Sequence, residues 1–390
     1  TAPFVITADV ARIPLCIPEL GGNAAAYLNE CLQTNWVSSV GPFVSRFERE
    51  FAARVESPHA VACASGTAAI HLALLATGVQ PGDEVWVSDL TFIASANPAR
   101  YCGASVTLVD SEADTWNLDP QLVVDELEAR AKRGDRMPAA IVAVHLLGHP
   151  PQLAPVLEAA AARGVPVIED AAEALGATWN RGPIAGRQAG SVSTIGCFSF
   201  NGNKVITSGG GGMLVTGDES LAARARHLST QAKIPGVAYR HDEVAYNYRL
   251  TNLAAALGVA QLERLDEYLD RKRAISERYD EAFRGLAGMT TPPRQDWARS
   301  SVWLYSPLFA TGQVRERVRL ALAAADIEAR PVWTPLHQQP PYAASSVLGG
   351  GFVAADLASR ALSLPSSVGL TDQEQQEVVG VVSDALTAKT

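Results

Sequence analysis

Cysteine is sparse and unpatterned: five residues in 390, at Cys16, Cys31, Cys63, Cys102 and Cys197, odd in number and without a C-x-x-C pair. This argues against a disulfide framework and a zinc site, and it fits a reducing cytoplasm, the expected location. No run approaches the roughly 20 apolar residues of a membrane span. The first residues lack a basic stretch followed by an apolar one, so no secretory signal is expected. Cations are outnumbered, 32 Lys and Arg against 41 Asp and Glu, for a net charge of −9, and they form no long patch. Nucleic acid and anionic membrane are therefore poor partners, whereas a small anionic substrate needs only a few local cations.

What is present is a large apolar fraction, 47%, against 19% charged residues, enough for a sizeable core. The length suits two domains. From about residue 60 to 216, short β-branched runs alternate with helical patterns. Residues 83–88, 105–110, 139–147, 165–170, 191–200 and 211–216 read as strands, and 91–103, 119–131 and 152–164 as helices. Asp119 with Pro120 marks a helix start, and Gly164 marks a stop. This alternation predicts a mostly parallel sheet covered by helices on both faces. Beyond residue 250 the pattern changes. Residues 251–285 read as one long amphipathic helix. A strand at 302–309 follows, then helices at 314–327 and 371–387, the last opened by a capping box of Thr371 and Glu374. The expectation is an α/β protein with a large domain over 1–250 and a smaller α+β domain over 251–390.

Four segments carry chemistry. In CFSFNGNKVITSGGGG, a strand ends at Ser199-Phe200, Lys204 follows in a loop, and four glycines precede the next strand. A lysine desolvated there is a nucleophile toward carbonyls, and glycines let the backbone pass close to a flat group. The same letters also describe an exposed lysine beside a glycine turn. A Walker-type phosphate loop is excluded, because the lysine precedes the glycines. In VPVIEDAAEALG, Glu169-Asp170 closes a buried strand, where carboxylates face the ligand crevice of a parallel sheet, and Glu173 follows one turn later. An ordinary helix cap is the other reading. In ACASGTAAIHLALLATG, Ser65-Gly66-Thr67 opens an alanine-rich helix whose N-terminus suits a phosphate. Phe92 follows a strand end, where an aromatic ring can stack on a planar group or simply pack. Individually ordinary, the four in this order supply one part for every face of pyridoxal phosphate (PLP).

In these motifs the sequence resembles the DegT/DnrJ/EryC1/StrS family of PLP-dependent sugar aminotransferases, which have the type I aspartate aminotransferase fold. The resemblance runs from NWVSSVGPFVSRFEREFA at 35–52 to RPVWTPLH at 330–337, through VIEDAAEALGA, SFNGNKVITSGGGGML and YNYRLTNLAAALGVAQLERL. It implies that Lys204 holds the cofactor as a Schiff base and shuttles protons, that Asp170 pairs with the pyridine nitrogen, and that Phe92 stacks on the ring. Gly66, Thr67 and Ala68 meet the phosphate, joined by the Ser199 hydroxyl. Asn247 reaches the phosphate of a neighbouring subunit, which implies a homodimer with shared sites. Glu173 stands where the family varies among His, Gln and Glu, near the ring hydroxyl. His337 resembles a residue near the sugar. Family members acting as dehydratases carry His in place of the lysine, so Lys204 favours amino transfer.

The implied reaction has two halves: an amino acid, glutamate by resemblance, leaves its nitrogen on the cofactor as pyridoxamine phosphate, and a nucleotide-linked ketosugar takes it up. NWVSSVGPFV resembles members acting on 4-keto-6-deoxy sugars, hence amination at C4, with C3 as the alternative. An amino-acid aminotransferase, a cysteine desulfurase and a non-catalytic PLP-fold regulator are the competing classes. His145 and His149 are read as structural. Trp36, Trp303 and Trp333 are read as packing, or as walls of a sugar site. Arg249 and Arg330 are read as surface ion pairs or diphosphate contacts.

Overall fold

The β-branched runs between residues 59 and 216 assemble into one twisted sheet in the computed structural model, which describes residues 11–387. The N-terminus read above for a signal falls partly outside that range. The strands are β1 (His59–Cys63), β2 (Glu84–Ser88), β3 (Ser105–Val109), β4 (Ala140–Val144), β5 (Val167–Asp170), the short β6 (Thr178–Trp179), β7 (Ile195–Ser199) and β8 (Gly212–Thr216). All but β6 join in the order β1-β8-β7-β5-β4-β2-β3, and residues Val347–Leu348 extend the far edge beside β3. Pairing is parallel from β7 through β5, β4, β2 and β3, and antiparallel where β8 lies between β1 and β7. The sheet is mostly parallel and mixed, as expected.

Helices cover both faces. α3 (Gly66–Ala76) buries nearly every side, including Ile70, Leu72 and Leu74, in one core cluster with Val85, Val87 and Ile168. The other face receives α2 (Pro42–Arg54), α5 (Pro120–Arg133), α6 (Leu153–Ala161) and α8 (Asn252–Leu262). Strand alternation sends successive side chains to opposite faces. Phe198 accordingly packs 4.9 Å from Phe51 of α2, while its neighbour Ser199 turns toward the start of α3. Burying such a ring contributes about 2 kcal/mol. A third cluster joins Ile275 and Tyr279 of α9 (Leu265–Ala282), Val318 and Leu322 of α10 (Gly312–Ala324), and Val378 and Val382 of α12 (Asp372–Thr387).

Capping follows the sequence. Asp119 accepts from the Gln121 N–H at the start of α5, and Thr371 and Glu374 exchange hydrogen bonds ahead of α12. Three expectations are corrected. The single helix over 251–285 is two, α8 and α9, broken at Glu263-Arg264. The Glu263 carboxylate is held by Asn23, Tyr27 and Arg46, while Gln261 reaches the Glu19 carbonyl, so the end of α8 is tied to the helices it packs on. Residues 91–103 form a 3-10 turn, Ile93–Ser95, and a short α4, Asn97–Tyr101. A continuous helix would put Pro98 in its interior; the break leaves Pro98 in the first turn, where its missing N–H costs nothing. The strand at 302–309 shrinks to Leu308–Phe309. No helix among the described residues is long and apolar enough to cross a membrane.

Candidate active site

The carboxyl ends of β2, β5 and β7 and the start of α3 open onto one cavity of about 560 Å³. Parallel sheets bind ligands at this edge because the loops leaving the strands diverge there. Lys204, Asp170, Glu173, Phe92, Ser199, Gly66 and Thr67 all line it. So do Trp303 and Trp333, whose rings stack 5.9 Å apart at 12°. Trp303 realises both readings, buried in the core and lining the cavity, and Trp333 lines the cavity beside it. Trp36, by contrast, is 46% exposed and does not pack in the core.

Asp170 ends β5 and is buried. Its Oδ2 accepts a 2.6 Å hydrogen bond from the Ser95 hydroxyl, and its Oδ1 one from the Ala172 N–H at 3.1 Å. Ser95 has one proton and gives it to Asp170, so Thr91, 2.7 Å away, donates to Ser95. A carboxylate held on both oxygens keeps lone pairs free for a further donor in the cavity. Glu169 does not face the cavity: strand alternation turns it the other way, where His145 and the amides of Gly190, Val192 and Ser193 hold it.

Lys204 leaves the loop after β7 with its side chain 13% exposed. Its Nζ lies 3.5 Å from Glu173 Oε1 and 3.9 Å from the centroid of the Trp303 ring. Glu173 also accepts from the Leu147 N–H at 2.8 Å, an amide presented by a left-handed residue, φ 55°. Burial pushes the Glu173 carboxyl up to about 7, against the opposing pull of Lys204.

At α3, the Ser65 hydroxyl caps the helix by accepting from the Ala68 N–H at 3.1 Å. Ala68, expected to meet the phosphate, gives its amide to this cap and does not line the cavity. Gly66 and Thr67 keep amides that no helix carbonyl can reach, at the positive end of the helix dipole. A Cβ on Gly66 would meet Ser199 Cβ at 2.8 Å, and one on Gly212 the Gly66 nitrogen at 2.7 Å. The glycine run thus lets β8 press against the helix start. These amides, the Ser199 hydroxyl beside them, a held carboxylate, a lysine and an exposed Phe92 fit a flat ring that carries a phosphate.

Neither His337 nor Asn247, the latter expected at a neighbouring subunit's phosphate, lines this cavity. The Nδ1 and backbone N–H of His337 both engage the buried Asp89, at 2.6 and 3.0 Å, and Gly351 packs on its ring. The PLH segment is thereby tied to the end of β2. Asn247 is exposed in the segment that bridges to Thr230 and does not line this cavity. Arg330 does line it, and its guanidinium pairs with Glu328. The sequence points to neither Ser95 nor Cys16 as cavity residues; Cys16 reads only as a thiol without a pattern.

Comparison with known proteins agrees with this geometry. The model of the DegT/DnrJ/EryC1/StrS aminotransferase family matches residues 18–383. The GDP-perosamine synthase of Caulobacter vibrioides is 41% identical, over 97% of this chain and 99% of that one. The GDP-perosamine synthase of Vibrio cholerae is 36% identical, over 95% and 98%. Among solved structures, DesV of S. venezuelae superposes with a TM-score of 0.85 at 31% identity, covering 94% of this chain and 95% of its own. A DegT DnrJ EryC1 StrS aminotransferase from Brucella abortus gives 0.86 at 28%, covering 94% and 96%. The chain belongs to the DegT/DnrJ/EryC1/StrS family, with the type I fold, and is a pyridoxal phosphate-dependent sugar aminotransferase.

Proposed function

We propose that this enzyme moves the amino group of an amino acid, glutamate first, to C4 of a nucleotide-linked 4-keto-6-deoxyhexose, and that it works as a homodimer. The observation that carries the reading is the convergence of Lys204, Asp170 and the α3 N-terminus on one cavity walled by Trp303 and Trp333. Relatives named for making GDP-perosamine support a nucleotide-linked amino sugar as the product class.

PLP supplies, when bound, an electron sink for charge developing on the carbon next to the transferred nitrogen. The protein's part is binding, orientation and proton movement. Gly66 and Thr67 amides with Ser199 would hold the phosphate, and Phe92 would lie on the ring. Asp170, aimed by Ser95 and Ala172, would pair with a protonated ring nitrogen. Lys204 Nζ would take a proton from one carbon and return it to another. Glu173, at 3.5 Å, is placed to share that proton. Stacked tryptophans suit the apolar face of a sugar ring, and Arg330 at the cavity wall suits a diphosphate. Asn247, exposed beside Tyr246 and Tyr248, would reach a second subunit.

The test is incubation with glutamate and a panel of GDP-, UDP- and dTDP-linked 4-keto and 3-keto sugars, read by product mass. Gain of an amine by a 4-keto sugar supports the reading. Amination of 3-keto sugars alone moves the position to C3. Turnover of free keto acids with no ketosugar aminated removes the sugar.

A further inference from the structure

Lys272 is a charged side chain with almost no access to water: 2% exposed, on the inner face of α9. An ammonium so placed costs several kcal/mol unless its protons are satisfied. It has three, and three acceptors surround it: the Trp303 carbonyl at 2.9 Å, the Ser366 carbonyl at 2.8 Å and Cys16 Sγ at 3.9 Å. Burial lowers its affinity for a proton. Two of these partners, Trp303 and Cys16, lead back to the cavity. The Trp303 N–H donates to the Leu147 carbonyl, the residue whose own N–H holds Glu173. The indole Nε1–H donates to the Asn203 carbonyl at 2.5 Å, and Cys16 Sγ donates to the same oxygen at 3.3 Å. Asn203 immediately precedes Lys204, whose Nζ rests 3.9 Å over the indole ring.

We propose that Lys272 is a positioning residue for the reaction: its ammonium pins the Trp303 backbone from α9, and so sets the indole face on which Lys204 rests. The inference rests on the role given above to Lys204. A cation over an indole is stabilised by the ring's negative face, and the gain depends on how the ring is held. Freeing Trp303 therefore favours neutral Lys204. The titratable groups sharing the cavity with Lys204 are Glu173, Asp170, Cys16, Glu328 and Arg330, all left in place when Lys272 is replaced. Removing the Lys272 charge acts directly in the opposite sense, because a cation nearby disfavours a second one. The two routes differ in sign.

The test is the pH profile of PLP capture by the full-length, cofactor-stripped protein, followed by absorbance. Capture needs the neutral amine, so its midpoint reports the protonation of Lys204. In Lys272→Met the midpoint should fall by about half to one pH unit, the size of a lost cation–π contact. In a Trp303→Leu background, which lowers the midpoint by itself, the second substitution should add no further fall. Lys272→Gln, whose amide can still serve both carbonyls, covers the case in which Lys272→Met does not fold, and should give a smaller fall. A midpoint that rises, stays, or falls equally in both backgrounds overturns the proposal. Capture that is unchanged in Lys204→Ala overturns instead the assignment of Lys204 itself.

Discussion

Ser95 Oγ and Asp170 Oδ2 lie 2.6 Å apart although 75 residues separate them in the chain. The contact brings the turn after β2 to the end of β5 and aims one carboxylate into the cavity. Asp170→Asn keeps the shape and loses the charge. Its expected effect is a fall in turnover of about 10²-fold, the size of a charge-assisted hydrogen bond. Ser95→Ala removes one neutral donor, and a loss of about 5- to 10-fold is expected. Steady-state rates at saturating PLP check both. Equal losses in the two variants would contradict the assigned division of roles.

Glu173 carries a pH signature. Its carboxyl titrates at about 7 when folded, because burial disfavours the charge, and near 4.3 when unfolded. A raised folded value means stability that is fully present below the unfolded value and lost as pH rises through about 7. Glu173→Gln keeps an acceptor for the Leu147 N–H and cannot ionise. Its melting temperature, without cofactor, should change less than the parent's between pH 5 and 8 and should be the higher of the two above 7. The difference at the upper end is on the order of 3–4 kcal/mol. Parallel curves for the two proteins would show that Glu173 titrates normally.

Gly66 and Ser199 are in steric contact, so the effects of changing them should not add. A Cβ at 66 meets Ser199 Cβ at 2.8 Å, closer than real Cβ atoms sit. Gly66→Ala should weaken PLP binding by about 10-fold or more, through about 1–3 kcal/mol of overpacking at the phosphate end. Adding Ser199→Gly removes the opposing Cβ and should recover part of that loss, despite the lost hydroxyl. Equilibrium dialysis of PLP measures this directly. A double variant weaker than the sum of its parts would place the phosphate elsewhere.

The sheet, its mostly parallel character and the main cavity residues were legible in the sequence for a physical reason. Buried parallel strands must be apolar runs, and a lysine or carboxylate at the end of one is conspicuous. Ser95 was not legible: it sits in a 3-10 turn that apolar periodicity reads as helix, and its partner is 75 residues away. Trp303 could be read as core or as site because it is both, buried by its backbone ties and open on one ring face. The break between α8 and α9 hid because a pause of two residues hardly shifts a 3.6-residue period. The pairing of His337 Nδ1 with Asp89 was not legible, because no local pattern shows it.

Amine chemistry at Lys204 decides the whole reading, and absorbance during one titration measures it. The purified protein, given PLP, should bind it with the absorbance of a lysine-linked chromophore, and glutamate should convert that band to the pyridoxamine phosphate spectrum. Lys204→Ala should show neither the linked chromophore nor measurable turnover. A parent protein that stays colourless with PLP, or a Lys204→Ala variant as active as the parent, would contradict it.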